Sequence, residues 1–351
     1  MTARTFELSP GYAISRVIRG GWQLAGGHGA IDRDQAVSDL IATFDAGIWI
    51  YDCADIYTGV EELIGAARLR LASERGLDVA ARMRVHTKMV PDLERLSNIS
   101  RDYIRGIVDQ SLRRLKTERI DLVQFHWWDY ALPGYVDAMG WLDEMRREGK
   151  VRNLGTTNFD TQRLTEILAA GIPLVSQQLQ YSVLDQRPAK SLAALAAKNA
   201  INFLCYGSVA GGFLSDRWLG AVEPAMPLEN RSLVKYKLII DDFGGWDLFQ
   251  QLLGALKAVG DRHGVDIATI ASAWVLEQPQ VAAVIVGARN QAHALANAGI
   301  MDVALDADDR SRIAAVIAQG NGLEGDVYTL ERDRHGRHGS IMHYNLNAGK
   351  K

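Results

Sequence analysis

Only two cysteines occur in 351 residues, Cys53 and Cys205, each inside an apolar segment. Two thiols so placed exclude a disulfide framework and point to a reducing compartment. Charge of one sign is scarce as well. The formal net charge is −3, with acidic and basic residues mixed along most of the chain, so no strong pull toward nucleic acid or an anionic membrane is expected. The longest apolar runs fall far short of a membrane span, and the first twenty residues lack the apolar stretch of a secretory signal. A cytoplasmic protein without nucleic-acid or membrane partners is the expectation. There is no metal signature. The eight histidines are scattered, and "HGRH" with His343 nearby lacks partners at ligand spacing on a helix or strand. The dinucleotide fingerprint strand–GxGxxG–helix is missing too, since "GGWQLAGGHGAID" is glycine-rich at the wrong spacing.

What is present is alternation. With 48% hydrophobic residues, the chain has material for one large domain or two ordinary ones. Short β-branched runs alternate with longer segments of helical period. The strand candidates are "ISRVIRGG", "IWIYD", "RVHTK", "IDLVQFH", "VRNLGTTN", "PLVSQQLQ", "INFLCYGS" and "VAAVIVGAR". Among the helical segments, "DRDQAVSDLIATFDAG" carries Val37, Leu40, Ile41 and Phe44 on one face and stops at Gly47, while Ser100 and Asp160 are N-caps for two others. Parallel strands need crossovers of this length, and eight such units predict an α/β fold, a closed (β/α)8 TIM barrel. A doubly wound open sheet would need the fingerprint that is lacking. The order breaks after strand seven, where residues from about 210 to 245 hold glycines, prolines and turn residues and read as a long loop. Residues 1–319 are taken as a single barrel domain. Residues 320–351 form a polar C-terminal extension, either loosely packed or a flap over the barrel mouth.

In such a barrel the C-terminal ends of the strands share one rim. Strand two ends in Asp52, with Tyr57 on its loop; strand three ends in Lys88 and strand four in His126. Each has an ordinary reading by itself: a turn-capping Asp, a snorkelling Lys, a core His, a surface or core Tyr. At one rim the four have a joint chemistry. A phenol is a poor acid at neutral pH, an adjacent ammonium favours its phenolate, a carboxylate holds that ammonium in place, and a His donor supports charge developing on a carbonyl oxygen. Proton delivery to a carbonyl during hydride transfer needs that set.

These segments resemble the aldo-keto reductase family. "YDCADIY", "HTK" and "DLVQFH" resemble its Asp-then-Tyr, Lys and His segments, which implies catalytic roles for Asp52, Tyr57, Lys88 and His126. "GTTNF" resembles the family's Gly-x-Ser-Asn-Phe, with Thr157 where Ser is usual, and "QLQYS" resembles its strand-six segment. The resemblance implies that Thr157, Asn158 and Gln178 hold the nicotinamide carboxamide, with Gly21, Trp22 and Asp52 also against the cofactor. "CYGSVAGGFLS" resembles the strand-seven segment, so Tyr206 would stack on the nicotinamide. Gly207, Ser208, Val209, Gly211, Gly212 and Leu214 would wrap the pyrophosphate, with Gly207–Ser208 replacing the usual Ser-Pro. "VGARNQAHALAN" resembles the last strand–helix pair, which implicates Gly287, Arg289, His293 and Asn297 at the adenosine end. Backbone N–H groups of a glycine loop and a helix N-terminus receive phosphate oxygens, and Arg289 could pair a 2′-phosphate. NADP(H) is therefore favoured and NAD(H) is the alternative. Ala296 stands where the family has Glu.

On the substrate side, Trp22, Trp127, Trp128 and Trp246 are candidates for an aromatic-walled pocket, with burial in the core as the competing reading for each. No basic cluster is evident on these loops, so a small-molecule carbonyl with an apolar or ring body is the expected substrate. The expected activity is reversible, NAD(P)H-dependent reduction of an aldehyde or ketone. The second reading is a nucleotide-binding regulatory subunit of the reductase fold with slow or no turnover. A third, a Schiff-base lyase using Lys88, leaves Asp52 and Tyr57 without a role. Oligomeric state is left open.

Overall fold

A computed structural model describes residues 4–25, 31–288 and 291–347. Two short strands come first: β1 (Thr5–Ser9) and β2 (Tyr12–Ser15), an antiparallel hairpin turning at Gly11. Then follow β3 (Val17–Gly20), β4 (Ile50–Asp52), β5 (Arg84–Met89), β6 (Ile120–Phe125), β7 (Val151–Thr157), β8 (Ser176–Gln180), β9 (Asn202–Tyr206) and β10 (Val281–Val286). These eight pair in parallel, in chain order, and β10 closes on β3. The helices are α1 (Arg33–Asp45), α2 (Val60–Arg75), α3 (Leu77–Ala80), α4 (Arg101–Leu115), α5 (Tyr135–Arg147), α6 (Thr161–Ala169), α7 (Ser191–Lys198), α8 (Arg231–Phe243), α9 (Gly245–His263), α10 (Ile267–Leu276), α11 (Gln291–Gly299), α12 (Ala307–Ile317) and α13 (Thr329–Arg332). The fold is the (β/α)8 barrel that the alternation of strands and helices predicts.

Local chemistry starts the helices where the sequence signals them. Asp32, Ser100 and Asp160 each accept backbone N–H bonds from the first turn of α1, α4 and α6, satisfying donors that have no partner within the helix. Most of the apolar core lies between the strands and the helices. A smaller cluster fills the barrel interior, where Ile18, Ile50, Leu122, Leu204 and Ala283 meet Leu8, Tyr12 and Ile14 of the hairpin. The hairpin thus plugs the N-terminal end of the barrel. Among the described residues, no helix is long and apolar enough to cross a membrane.

Two elements differ from the sequence expectation. The first strand, expected to begin at Ile14, is split, because Arg16 turns aside to donate to Leu276 O, Val281 O and Ala282 O at the foot of β10. The expected long loop after β9 contains α8, capped by Asn230, whose Oδ1 accepts from Leu233 N at 3.0 Å. Its buried residues Tyr236, Ile239, Ile240 and Phe243 follow helical period. After α12 the chain crosses the barrel mouth. There Arg332 donates to Trp127 O, Trp128 O, Tyr130 Oη and Asn158 O. Farther on, Asn347 Nδ2 donates to Asp55 Oδ2 at 2.9 Å and to Val90 O at 3.0 Å.

Candidate active site

Side chains two apart on a strand share a face, so Lys88, Gln124 and Gln178 project into the barrel beside Asp52 at its C-terminal end. Lys88 Nζ lies 2.5 Å from Asp52 Oδ2 and 3.0 Å from Cys53 O. Gln178 Nε2 and Gln124 Nε2 donate to Asp52 Oδ1 at 2.6 Å and 3.1 Å. Both carboxylate oxygens are therefore supplied with donors inside the barrel, as a buried charge requires. Burial acts to discharge Lys88, but Asp52 and then Tyr57 outweigh it, and its pKa is raised. The ammonium is fixed at neutral pH.

Tyr57 stands above this pair on the loop after β4, where its N–H donates to Ala54 O at 2.9 Å. Lys88 Nζ lies 5.1 Å from its ring centroid. Its pKa is raised, burial being the largest cause and Lys88 opposing it. The expected pull of the ammonium toward phenolate is present, but desolvation outweighs it and the phenol is held protonated. His126 is buried just past the end of β6. Its Nδ1 lies 3.1 Å from Thr157 O. A carbonyl only accepts, so Nδ1 carries the proton. Burial, followed by Arg332, drives the His126 pKa down to about 3, which leaves a neutral ring with Nε2 as a bare acceptor. Nε2 is buried and has no partner. The donor role expected for His126 is not available to this neutral tautomer.

Two of the four candidate tryptophans face the mouth. Trp22 meets the Tyr57 ring at 5.1 Å, with Nε1 3.1 Å from Ser232 Oγ. Trp128 meets His126 edge-on at 4.3 Å. Trp127 is fully buried, its Nε1 donating to Asp129 O and Leu132 O. Trp246 packs among Phe213, Trp218 and Phe249, and its Nε1 donates to Ala221 O. These two are core residues, buried among apolar neighbours with each indole N–H satisfied by a backbone carbonyl. The tail completes the aromatic wall: Tyr328 lies edge-on to His126 at 5.7 Å, and Tyr344 lies 5.0 Å from Trp128.

The other candidate cofactor residues lie on or after β3, β7, β8, β9 and β10. Thr157 is buried at the end of β7. Asn158, in the left-handed region at φ 62°, accepts from Tyr206 Oη at 2.9 Å. Gln178 donates its Nε2 into the barrel, to Asp52 and to Gln124 Oε1, so this nitrogen is not free for a carboxamide. Gly207 is at φ 79°, and any β-carbon there would strike the Tyr236 hydroxyl. Ser208 Oγ pairs with Ser272 Oγ at 3.0 Å, and Leu214 is in the core. The loop of Val209, Gly211 and Gly212 therefore has backbone rather than the side chains of Ser208 or Leu214 to present. Gly21 N donates to Asp52 O at 2.7 Å, and the close approach leaves no room for a side chain. Asn297 Nδ2 donates to Gly287 O at 3.0 Å, His293 is exposed on α11, and Arg289 lies outside the described residues.

Several residues at the site escape a reading of the sequence. Gln124 had a signal, since it lies two before His126 on the same strand face. α8 brings two cations to the mouth, Arg231 at 5.6 Å from the Trp22 ring and Lys235 at 5.2 Å from the Tyr206 ring. The Asn cap and apolar spacing of α8 could have revealed the helix, but not where its cations would land. Tyr328 and Arg332 gave no local signal. Among the described residues, no group of three or more His, Cys, Asp or Glu side chains could hold a metal ion.

Known proteins carry the same arrangement of segments. A family model described as "Aldo/keto reductase family" matches residues 16–318. The aldo-keto reductase YhdN of Bacillus subtilis is 26% identical over 320 residues, 88% of this chain and 91% of that protein. An NADH-specific methylglyoxal reductase of Escherichia coli is 26% identical, over 84% of this chain and 92% of that one. The match to flagellar radial spoke protein 5 of Chlamydomonas reinhardtii is also 26% identical, over 64% of this chain, and spans 49% of that longer protein. Among solved structures, the glycerol dehydrogenase of Gluconobacter oxydans superposes with a TM-score of 0.75 at 24% identity, covering 93% of this chain and 98% of that one. An aldo/keto reductase of Klebsiella pneumoniae, solved with NADP and acetate, gives 0.68 at 20% identity, covering 92% and 97%. At these identities the structural likenesses speak to the fold.

Proposed function

The chain belongs to the aldo/keto reductase family, a family of oxidoreductases, and from that premise we propose that it reduces an aldehyde or ketone to the alcohol, reversibly, with NADP(H) favoured and NAD(H) as the alternative. One observation carries the reading: a buried, charged Lys88 anchored by Asp52 lies under a protonated Tyr57, at the rim that also holds the unpartnered Nε2 of His126. The residues present fit a dinucleotide. The Arg231 and Lys235 cations lie at the same rim as the Trp22 and Tyr206 rings. Trp22, Thr157, Asn158 and Tyr206 would hold the nicotinamide end, the backbone of residues 207–212 with Arg231 and Lys235 the phosphates, and Gly287 and Asn297 the adenosine end. The E. coli relative named an NADH-specific reductase supports a nicotinamide donor.

When bound, the nicotinamide supplies the hydride that reaches the carbonyl carbon. This chain supplies the proton. Tyr57 Oη–H donates to the carbonyl oxygen, and the phenolate left behind faces the Lys88 ammonium, the opposite charge that favours it. Asp52 keeps that ammonium charged and in place. His126 Nε2 accepts from the new hydroxyl, which positions the oxygen in the alcohol state and in the reverse reaction. The walls offered by Trp22, Trp128, Tyr328 and Tyr344 suit a carbonyl compound with an apolar or aromatic body. Fluorescence titration with NADPH and NADH, followed by a panel of aryl aldehydes with cofactor oxidation monitored, tests the reading. Tight binding with no turnover across the panel would favour the regulatory role, and failure to bind either nucleotide would remove the reductase.

A further inference from the structure

Arg19 is the least expected charge in the molecule. It lies on β3 next to Ile18, which faces the barrel interior, so its side chain runs to the opposite face, where Val17 packs in the apolar layer. It is 4% exposed. Among the described residues no carboxylate lies within ion-pair distance of it. Asp39 on α1 acts only at longer range, and the nearby Tyr51 is a phenol that donates to Leu40 O. Burial pulls its pKa down to about 10, which still leaves it charged at neutrality. Its Nε has no partner at all. A buried cation without a counter-charge destabilises a fold, and a well-packed apolar side chain of the same volume would not. Stability alone does not account for Arg19.

Its two hydrogen bonds indicate a use. Nη1 donates to Gly20 O and Nη2 to Ala288 O, each at 2.5 Å. Gly20 opens the loop that carries Gly21 and Trp22. Ala288 follows Gly287 at the approach to α11. The Gln23 amide lies directly over Gly287, where no β-carbon would fit, and its Oε1 is buried and unpartnered. At this seam the carbonyl oxygens of residues 20 and 288 are turned inward onto the guanidinium. They are withdrawn from the mouth, where they would repel an anion. Among the described residues, the seam carries the Arg19 charge with no carboxylate at ion-pair distance.

We infer that Arg19 is a positioning residue for dinucleotide binding, a buried cation whose counter-charge is the phosphate groups of the bound dinucleotide. It acts through the two carbonyls it holds and through its field, not by contact. This rests on the dinucleotide reading of the mouth. The consequence has an unusual sign. Removing the charge relieves the free protein and weakens the complex.

The test uses the full-length protein and Arg19→Met, which keeps length and loses charge. Thermal midpoints are measured without ligand, and dissociation constants for NADPH, NADH and ADP are taken from tryptophan quenching. The Met variant is expected to melt no lower than the parent when free, yet to bind all three nucleotides about tenfold more weakly. Equal affinities in parent and variant would overturn the inference, as would a loss confined to NADPH and NADH with ADP unaffected. If the Met variant melts lower, the two carbonyl bonds matter for folding, and Arg19→Lys decides. Affinity near that of the parent supports the charge, and affinity as weak as that of the Met variant overturns it. A parent protein that binds none of the nucleotides fails the dinucleotide reading itself, before any variant is needed.

Discussion

At the scale of single residues, the site is governed by which protons burial allows. Lys88 keeps its proton because Asp52 is 2.5 Å away. Tyr57 keeps its own because desolvation outweighs the ammonium. Tyr57→Phe should therefore lower kcat about 10²–10⁴-fold, the usual range for a lost general acid, while the NADPH dissociation constant stays unchanged; steady-state kinetics beside a fluorescence titration reads both. His126 and His86 make a pH prediction. Burial is the first cause in each, and both fall to about 3 from 6.5. Their neutral forms thus favour the folded state, so this stability is complete above the unfolded value and is lost as pH falls from there toward 3. The loss is about 1.4 kcal/mol per pH unit for each, or about 5 kcal/mol for the pair between ~pH 6 and ~pH 4. Urea unfolding at the two pH values measures it, and His126→Gln should remove roughly half. A pH dependence untouched by that substitution would count against the buried neutral ring.

At the scale of elements, what matters is how α8 is seated. Tyr236 of this helix lies against Gly207 and Gly211 of the loop after β9, so closely that neither could carry a side chain without displacing it. That contact sets where Arg231 and Lys235 stand over Trp22 and Tyr206. Gly207→Ala meets two obstacles, the left-handed φ of 79° and the Tyr236 hydroxyl. It should cost about 1–3 kcal/mol of stability and weaken dinucleotide binding by shifting α8. Unfolding curves and the NADPH dissociation constant test this, and a variant of parental stability and affinity would show that the seat is loose. The sequence marked α8 only faintly. Asn230 is a good cap and the apolar spacing is helical, but the glycines and prolines before it suggested a loop throughout.

At the scale of the whole molecule, the tail ties the rim together. Glu331 is buried with Arg187 at 3.0 Å and Lys235 at 3.7 Å, and Arg187 also holds Asp185 at 2.7 Å. This joins the loop after β8, the helix α8 and the tail. Burial alone would raise the Glu331 pKa, but Arg187 and then Lys235 overturn that and bring it to about 2. Glu331→Gln leaves two buried cations facing one carboxylate. It should destabilise the protein by about 3–5 kcal/mol and speed proteolysis within residues 320–347. A denaturant series with a limited-digestion time course checks both, and unchanged digestion would mean the tail is held elsewhere, for instance by Arg332 or Asn347.

The sequence by itself determined the order of eight strands and most of the helices between them, α8 excepted, because apolar period and caps are local properties. It also determined that Asp52, Tyr57, Lys88 and His126 share a rim, because strand ends in a parallel barrel point one way. It could not separate Trp22 and Trp128, at the mouth, from Trp127 and Trp246, in the core. An indole reads the same in either place until the residues packed around its ring are known. Nor could it reveal that the hairpin plugs the barrel, that Gln178 turns inward to Asp52, or that Tyr328 and Arg231 gather around the site. These depend on contacts between residues far apart in the chain. The direction of the Tyr57 shift was likewise decided only by the tertiary structure, since the balance between desolvation and a nearby ammonium depends on burial and distance.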